Sequence, residues 1–145
     1  MREITAAEVK RLYPCVQALS EYHNMVSVNF KGTYPSRPYE KTLELFEEAL
    51  ETQTSRIAVI EDNDHVVGFC KIDINGENGK LDYLMVLKDY RGKGYGKDLM
   101  DWAMRSFELN NVRHIEVKVI DGNEAIHLYE KYGFMMNAHI LVKNQ

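Results

Sequence analysis

Three glycines on alternate residues, in Arg91-Gly92-Lys93-Gly94-Tyr95-Gly96, stand where an apolar run ends and an amphipathic one begins. The chemistry this spacing permits is the capture of a compact anion. Glycine lets the backbone curl close to a ligand, and the first turn of a helix offers N–H donors that have no intrahelical acceptor. The helix dipole adds about 0.3–1 kcal/mol of attraction for negative charge at a surface site. Arg91, with Lys93 or Lys97, adds formal charge. Taken alone, the same residues could be no more than a tight strand-to-helix turn. A magnesium-nucleotide loop needs Gly-Lys-Ser or Gly-Lys-Thr, and Gly96-Lys97-Asp98 lacks that hydroxyl. A dinucleotide site needs Gly-x-Gly-x-x-Gly among parallel strand-helix units, whereas here the strands before the glycines read as hairpins.

The elements that must hold this loop follow from hydrophobic periodicity. A short strand at Arg2–Thr5 precedes a helical face of Val9, Leu12, Val16 and Leu19, with Thr5 as its cap. Pro14 inside that pattern predicts a kink or a split, because proline lacks the N–H and collides with the preceding turn. Residues 25–39 carry Gly32, Pro35, Ser36 and Pro38 and read as a loop; Leu43, Phe46 and Leu50 then mark a second, Glu-rich helix. Runs at 56–61, 66–74 and 81–87, separated by Asp62-Asn63-Asp64 and Asn75-Gly76-Glu77-Asn78-Gly79, predict a three-strand meander. A helix over 94–109, a strand over 114–119, a helix over 123–132 ending at Gly133, and a last strand over 138–143 complete the order. The fold class is α+β, three layers with a mixed, mostly antiparallel sheet of about six strands flanked by about four helices.

The 145 residues suit one domain over 1–145, and a net charge of -4 offers no footprint for a nucleic acid backbone. The N-terminus lacks the apolar region of a secretory signal, and no stretch approaches the roughly 20 apolar residues of a membrane span. A cytoplasmic location is expected. Cys15 and Cys70 lack the spacing of a zinc site or redox pair, and His23, His65, His114, His127 and His139 are dispersed, so no metal is expected. These histidines read as surface or packing residues, and Trp102 as core.

The glycine loop does not stand alone. Leu84-Met85-Val86-Leu87-Lys88-Asp89-Tyr90 leads into it, and Asn123-Glu124-Ala125-Ile126-His127-Leu128-Tyr129-Glu130-Lys131-Tyr132-Gly133-Phe134 follows the next strand. Together these resemble the GNAT superfamily of N-acetyltransferases. Arg91, Gly94 and Gly96 match its Arg/Gln-x-x-Gly-x-Gly/Ala signature, and the downstream segment is similar to its Asn-x-x-Ala-x-x-Leu-Tyr-x-x-x-Gly-Phe element. The resemblance implies acetyl-coenzyme A as cosubstrate. On that footing the strand Leu84-Met85-Val86 lies along the pantetheine arm, with Leu84 and Val86 pairing through their backbones. Amides from Arg91 through Gly92, Lys93, Gly94, Tyr95 and Gly96 to Lys97 hold the pyrophosphate, and Asn123 steadies the pantetheine. Tyr129 matches the tyrosine that serves as general acid in many members.

The implied activity is acetyl transfer to a primary amine by direct attack in a ternary complex. The alternative is an inactive coenzyme-A-binding regulatory or interaction module. A tyrosine can share a proton with a departing thiolate, which favours that role for Tyr129 over the alternative of an ordinary core tyrosine. An alkylamine has only roughly one molecule in a thousand unprotonated at neutral pH, so a base or a water relay is needed. Asp82 and Glu116, on flanking strands, are candidates, and no single base is singled out. Polyamine, amino sugar, amino acid, protein N-terminus and lysine side chain all remain open as acceptors. The segment 24–39 is expected to shape the acceptor site. Family members usually end in a strand hairpin, whereas about ten residues follow Phe134 here. A sheet short of one strand would leave an edge open to a second copy of the chain, hence an expected homodimer.

Overall fold

Alternation along the strands divides their apolar side chains between two faces, and each face acquires its own helical cover. In the computed structural model, which describes all 145 residues, Ile57, Val59, Phe69 and Met85 pack beneath the N-terminal helices with Val9, Leu12, Val16, Leu43 and Phe46. Ala58, Ile60, Cys70, Ile72 and Leu81 pack on the other side against Leu99, Met100, Ala103 and Phe107. Burial on both faces explains why these strands read as continuous apolar runs. The outcome is the expected three layers, with four α-helices and a sheet of five strands in the order β1-β2-β3-β4-β5.

The elements are β1 (Arg2–Glu3), a 3₁₀ helix (Ala6–Leu12), α1 (Tyr13–Val26), α2 (Tyr39–Glu51), β2 (Ser55–Asp62), β3 (His65–Asn75), β4 (Asn78–Val86), a 3₁₀ turn (Lys88–Tyr90), α3 (Tyr95–Leu109), β5 (His114–Val117) and α4 (Ile126–Lys131). Pro14 splits the first helix as its chemistry requires, falling in the opening turn of α1 where a missing N–H costs nothing. The Thr5 amide donates to Glu8 Oε2 at 3.2 Å before the 3₁₀ segment. Asn63 and Asp64 both take positive φ, 50° and 65°, the pattern of a tight turn whose twist matches its hairpin.

Two features of β4 position the site. Its register against β3 slips at Lys71/Ile72, so that Lys71 faces Tyr83 while Ile72 faces Leu81, and Asp82 is the extra residue of a β-bulge. Under the bulge Lys71, 4% exposed, bridges Asp73 and Asp82 at 2.6 Å each and lies 5.2 Å from the Phe46 ring centroid. A buried ammonium needs such partners, since an unpaired one would be far too costly to hold charged. Beyond the bulge β4 keeps its pairing with β3 as far as Val86, but its parallel pairing with β5 covers only Asn78–Leu81 against His114–Val117. From Asp82 to Val86 the β5-side edge of β4 has no strand partner, and the sheet opens into a wedge.

The structure corrects three expectations. Five strands form in place of about six, because residues 138–143 build no strand and no hairpin follows α4. A strand is stabilised by a paired neighbour and a buried face; this segment has neither, with Leu141 93% and Ile140 66% exposed. β5 stops at Val117 instead of Val119, where β4 diverges from it and its ladder ends. Finally, α4 begins at Ile126 instead of Asn123, because Asn123 Oδ1 accepts the Ala125 amide at 3.0 Å, a local bond that competes with helix.

Candidate active site

The wedge is the mouth of a cleft of about 630 Å³. One wall is the free edge of β4, where Leu84, Met85 and Val86 line the opening, and the facing wall is the chain from Val117 through Asn123 to Tyr129. Strand groups without a partner are a template for an extended ligand, which can satisfy them as another strand would.

At the end of β4 the chain turns through Lys88–Tyr90 into the glycine loop. Gly92 and Gly94 have φ of +80° and +86°, a left-handed conformation that disfavours any Cβ, and Gly94 caps α3. The first backbone bond of α3 is donated by Asp98 to the Gly94 carbonyl at 3.0 Å. The amides of Tyr95, Gly96 and Lys97 therefore precede every intrahelical bond and have no acceptor in the helix. A Cβ built on Gly92, Gly94 or Gly96 meets nothing within 4 Å, so the loop faces open space. Arg91 lies across the loop mouth: its Nε donates to the Val86 carbonyl at 3.0 Å, and its guanidinium carbon is 5.2 Å from the Tyr22 ring centroid.

Arg91, Gly92, Gly94, Tyr95 and Gly96 thus share the cleft with Asn123 and Tyr129, whereas Lys93 and Lys97 do not line it. The Lys93 ammonium sits 5.3 Å from the Tyr90 ring, and that of Lys97 is held by Asp101 at 2.6 Å, one turn along α3. Expectation placed their charge at the anion site, but α3 sends the Lys97 side chain along its outer face.

On the far wall Asn123 Oδ1 also accepts from the Tyr22 hydroxyl at 3.5 Å, which ties α1 to the start of α4. Tyr129 is 7% exposed and packs edge-on against Phe134, with ring centroids 6.0 Å apart. Burial, with the neighbouring Cys70 thiol, pushes its phenol up to about 12. The group is therefore protonated at neutral pH. The Tyr132 hydroxyl, by contrast, donates to Asp101 Oδ1 at 2.7 Å and does not line the cleft.

The remaining wall was only half legible. The loop after α1 reaches the cleft through Tyr34 and Ser36. Asn24 clamps Tyr34 by two bonds of 2.8 and 3.0 Å, and Asp121 receives Ser27 Oγ, the Val28 amide and the Asn29 amide at 2.8–2.9 Å. Those amides and the Ser27 hydroxyl hold the Asp121 carboxyl below its usual range. Leu19, Tyr22 and His23 of α1 also line the cleft, although the sequence placed Leu19 on a core face, read His23 as a surface or packing residue and gave Tyr22 no role. The signal was there in the helical spacing of Leu19 and Tyr22, but nothing in it separated a core face from a cleft face.

Of the two carboxylates considered as bases, Asp82 lines the cleft but is committed to Lys71 at 2.6 Å and Lys80 at 3.6 Å. Glu116 is exposed and lines a different depression, with Arg113 and Asn78. No group of three or more His, Cys, Asp or Glu side chains could hold a metal ion, and no helix is long and apolar enough to cross a membrane.

Comparison with known proteins gives a consistent picture. A sequence model described as the acetyltransferase (GNAT) family matches residues 19–134. Among curated proteins, the spermidine N(1)-acetyltransferase of Vibrio cholerae is 26% identical over 87% of this chain and 75% of its own length. An uncharacterised prophage-derived N-acetyltransferase of Bacillus subtilis is 31% identical over 81% of this chain and 66% of its own. The chain spans between 50% and 75% of the length of the curated relatives it matches. Among solved structures, the PaiA N-acetyltransferase of Thermoplasma acidophilum, in complex with coenzyme A, superposes with a TM-score of 0.74 at 18% identity, covering 94% of this chain and 89% of that one. At that identity the likeness speaks for the fold. With the family model covering most of its length, the chain belongs to the GNAT family of acetyltransferases, enzymes that use acetyl-coenzyme A as cosubstrate.

Proposed function

We propose that this protein transfers the acetyl group of acetyl-coenzyme A to a primary amine by direct attack in a ternary complex. The observation that carries the reading is the convergence, in one cleft, of an unpaired strand edge, a glycine loop with open amides and a protonated tyrosine. The free edge of Leu84–Val86 suits the amide-bearing pantetheine arm, and the amides from Arg91 to Gly96 suit the pyrophosphate. Asn123, whose Oδ1 is already engaged, has its Nδ2 to offer the arm. Tyr129 donates its proton to the sulfur as the C–S bond breaks.

A covalent acyl-cysteine route has no support. Burial pushes the Cys15 thiol up to about 12 and that of Cys70 higher still, and neither lines the cleft. Both are held as poorly nucleophilic thiols.

The relatives widen the choice of amine without closing it: spermidine and spermine for some, a ribosomal-protein alanine and aminoglycosides for others. All are primary amines. Titration calorimetry with coenzyme A and acetyl-coenzyme A tests the first half of the reading, and thiol release with spermidine, an alanine-terminated peptide and an aminoglycoside tests the second. Absence of binding heat on folded protein overturns the first half. Binding without thiol release from any of the three would favour a binding module instead.

A further inference from the structure

Resting on the transfer reading, the structure points to a base for it: we propose that His23 takes the proton from the acceptor ammonium before the amine attacks the thioester. An amine that reaches the cleft at neutral pH arrives protonated and cannot attack until it is relieved of that proton. Two side chains lining the cleft carry a lone pair suited to the task, Asp82 and His23. Asp82 is one of the two counter-charges of the buried Lys71, and protonating it would strip an ammonium that is 4% exposed of half its compensation. His23 has no such commitment.

The imidazole sits on the last turn of α1, between Tyr22, with ring centroids 6.4 Å apart, and Tyr34, which meets it edge-on at 5.4 Å. No group of the chain hydrogen-bonds its ring nitrogens, and no polar side-chain atom sealed from solvent lacks a partner. Neither nitrogen is therefore sealed from solvent. The slot is held from both sides: the His23 carbonyl accepts the Ser27 amide at 2.9 Å, and Asn24 clamps Tyr34. The Arg91 guanidinium lies over the Tyr22 ring and Asp121 acts on Tyr34, charges of opposite sign on the two flanking tyrosines. Burial decides the balance and lowers the imidazole from its ordinary value of 6.5, so the ring is neutral and basic at pH 7.

The protons balance. One ammonium proton passes to an imidazole nitrogen and on to solvent. The freed nitrogen bonds to the thioester carbon, the C–S bond breaks, and the sulfur takes the Tyr129 proton. The Tyr129 oxygen regains a proton from the new amide nitrogen. The sum is one acetylated amine, one free thiol and one released proton.

The test uses His23→Gln and His23→Ala with the amine in the three-member panel that the unmutated protein acetylates best. Expected at pH 7 is a loss in kcat/KM on the order of 100-fold or more, the usual contribution of a positioned base. Coenzyme A affinity should change less than twofold, and imidazole added to His23→Ala should restore rate. The unmutated protein should lose activity as pH falls through the lowered His23 range, and the deficit of His23→Gln should shrink as pH approaches that of the free amine. Variants that keep the unmutated rate and the same acid limb overturn the assignment while leaving acetyl transfer intact. Absence of turnover by the unmutated protein overturns both. Should either variant melt early, the His23 ring titration followed by NMR in the unmutated protein must coincide with the acid limb of kcat/KM; a mismatch refutes the proposal.

Discussion

Replacing Gly96 by alanine separates folding from binding at one residue. Gly96 is the second residue of α3, its φ is not positive, and a Cβ there touches nothing within 4 Å. Alanine is a better helix former than glycine by about 0.5–1 kcal/mol, so Gly96→Ala should stabilise the ligand-free protein by that amount. For a chain of this size that is about 2–3 °C in Tm. The proposed pyrophosphate meets the amides of this same turn, but the signature admits alanine as well as glycine at this position, so the added methyl should leave the anion in place. Coenzyme A affinity should therefore stay within about threefold. Differential scanning calorimetry and isothermal titration calorimetry on the same two samples read both quantities. A loss on the order of 10- to 100-fold, the worth of about 1.5–3 kcal/mol in one charge-assisted hydrogen bond, would mean that the methyl stands where the anion binds and would refute the alignment.

Tyr129→Phe should retain coenzyme A binding within about threefold while turnover falls at least tenfold, on the order of a lost general acid; equal turnover on thiol-release assay would assign the hydroxyl to packing. Lys71→Met strands Asp73 and Asp82, whose side chains are 34% and 19% exposed. Breaking a fully buried pair costs about 3–5 kcal/mol, so partial exposure here predicts a loss of about 2–3 kcal/mol by urea denaturation, partly recovered when Asp82→Asn is added; purely additive losses would deny the coupling. Acid should loosen the fold between pH 4.5 and 2. The Arg2 guanidinium, with the Thr5 amide, holds the Glu8 carboxyl down at about 2, from an ordinary 4.5, and Asp121 is also held below its usual value. Depressed carboxyls favour the folded state above their unfolded range, and that contribution is lost as pH falls through the folded one; a flat Tm across this window contradicts the assignment.

What could be read from the chain was whatever local chemistry decides. Pro14 cannot sit inside a helix and so marks where one segment ends and the next begins, and Asn63-Asp64 tolerates positive φ. Asn123 with Tyr129 and Gly133-Phe134 carries a spaced signature. Residues 138–143 misled because a β-branched run reports only that a strand would be acceptable, not that a neighbour exists to pair with it. The Asp82 bulge, the burial of Lys71 and the entry of His23 into the cleft were hidden for a related reason. Each depends on which residue lies across the sheet or across the cleft, and Tyr22 meets Asn123 over 101 positions of sequence.

Every strand of the sheet lies beside its predecessor in the chain, in the order β1-β2-β3-β4-β5. As the polypeptide is synthesised, each strand up to β4 therefore finds its docking edge already made, and the β2-β3-β4 meander is a short-range assembly that favours rapid folding. The catalytic hollow matures differently. Its two sides are the outer edge of β4 and the stretch from Val117 to Tyr129, so it gains its second side only after the whole sheet has been made. A nascent chain thus completes its scaffold before it can trap coenzyme, and the ligand meets a finished framework rather than a collapsing one.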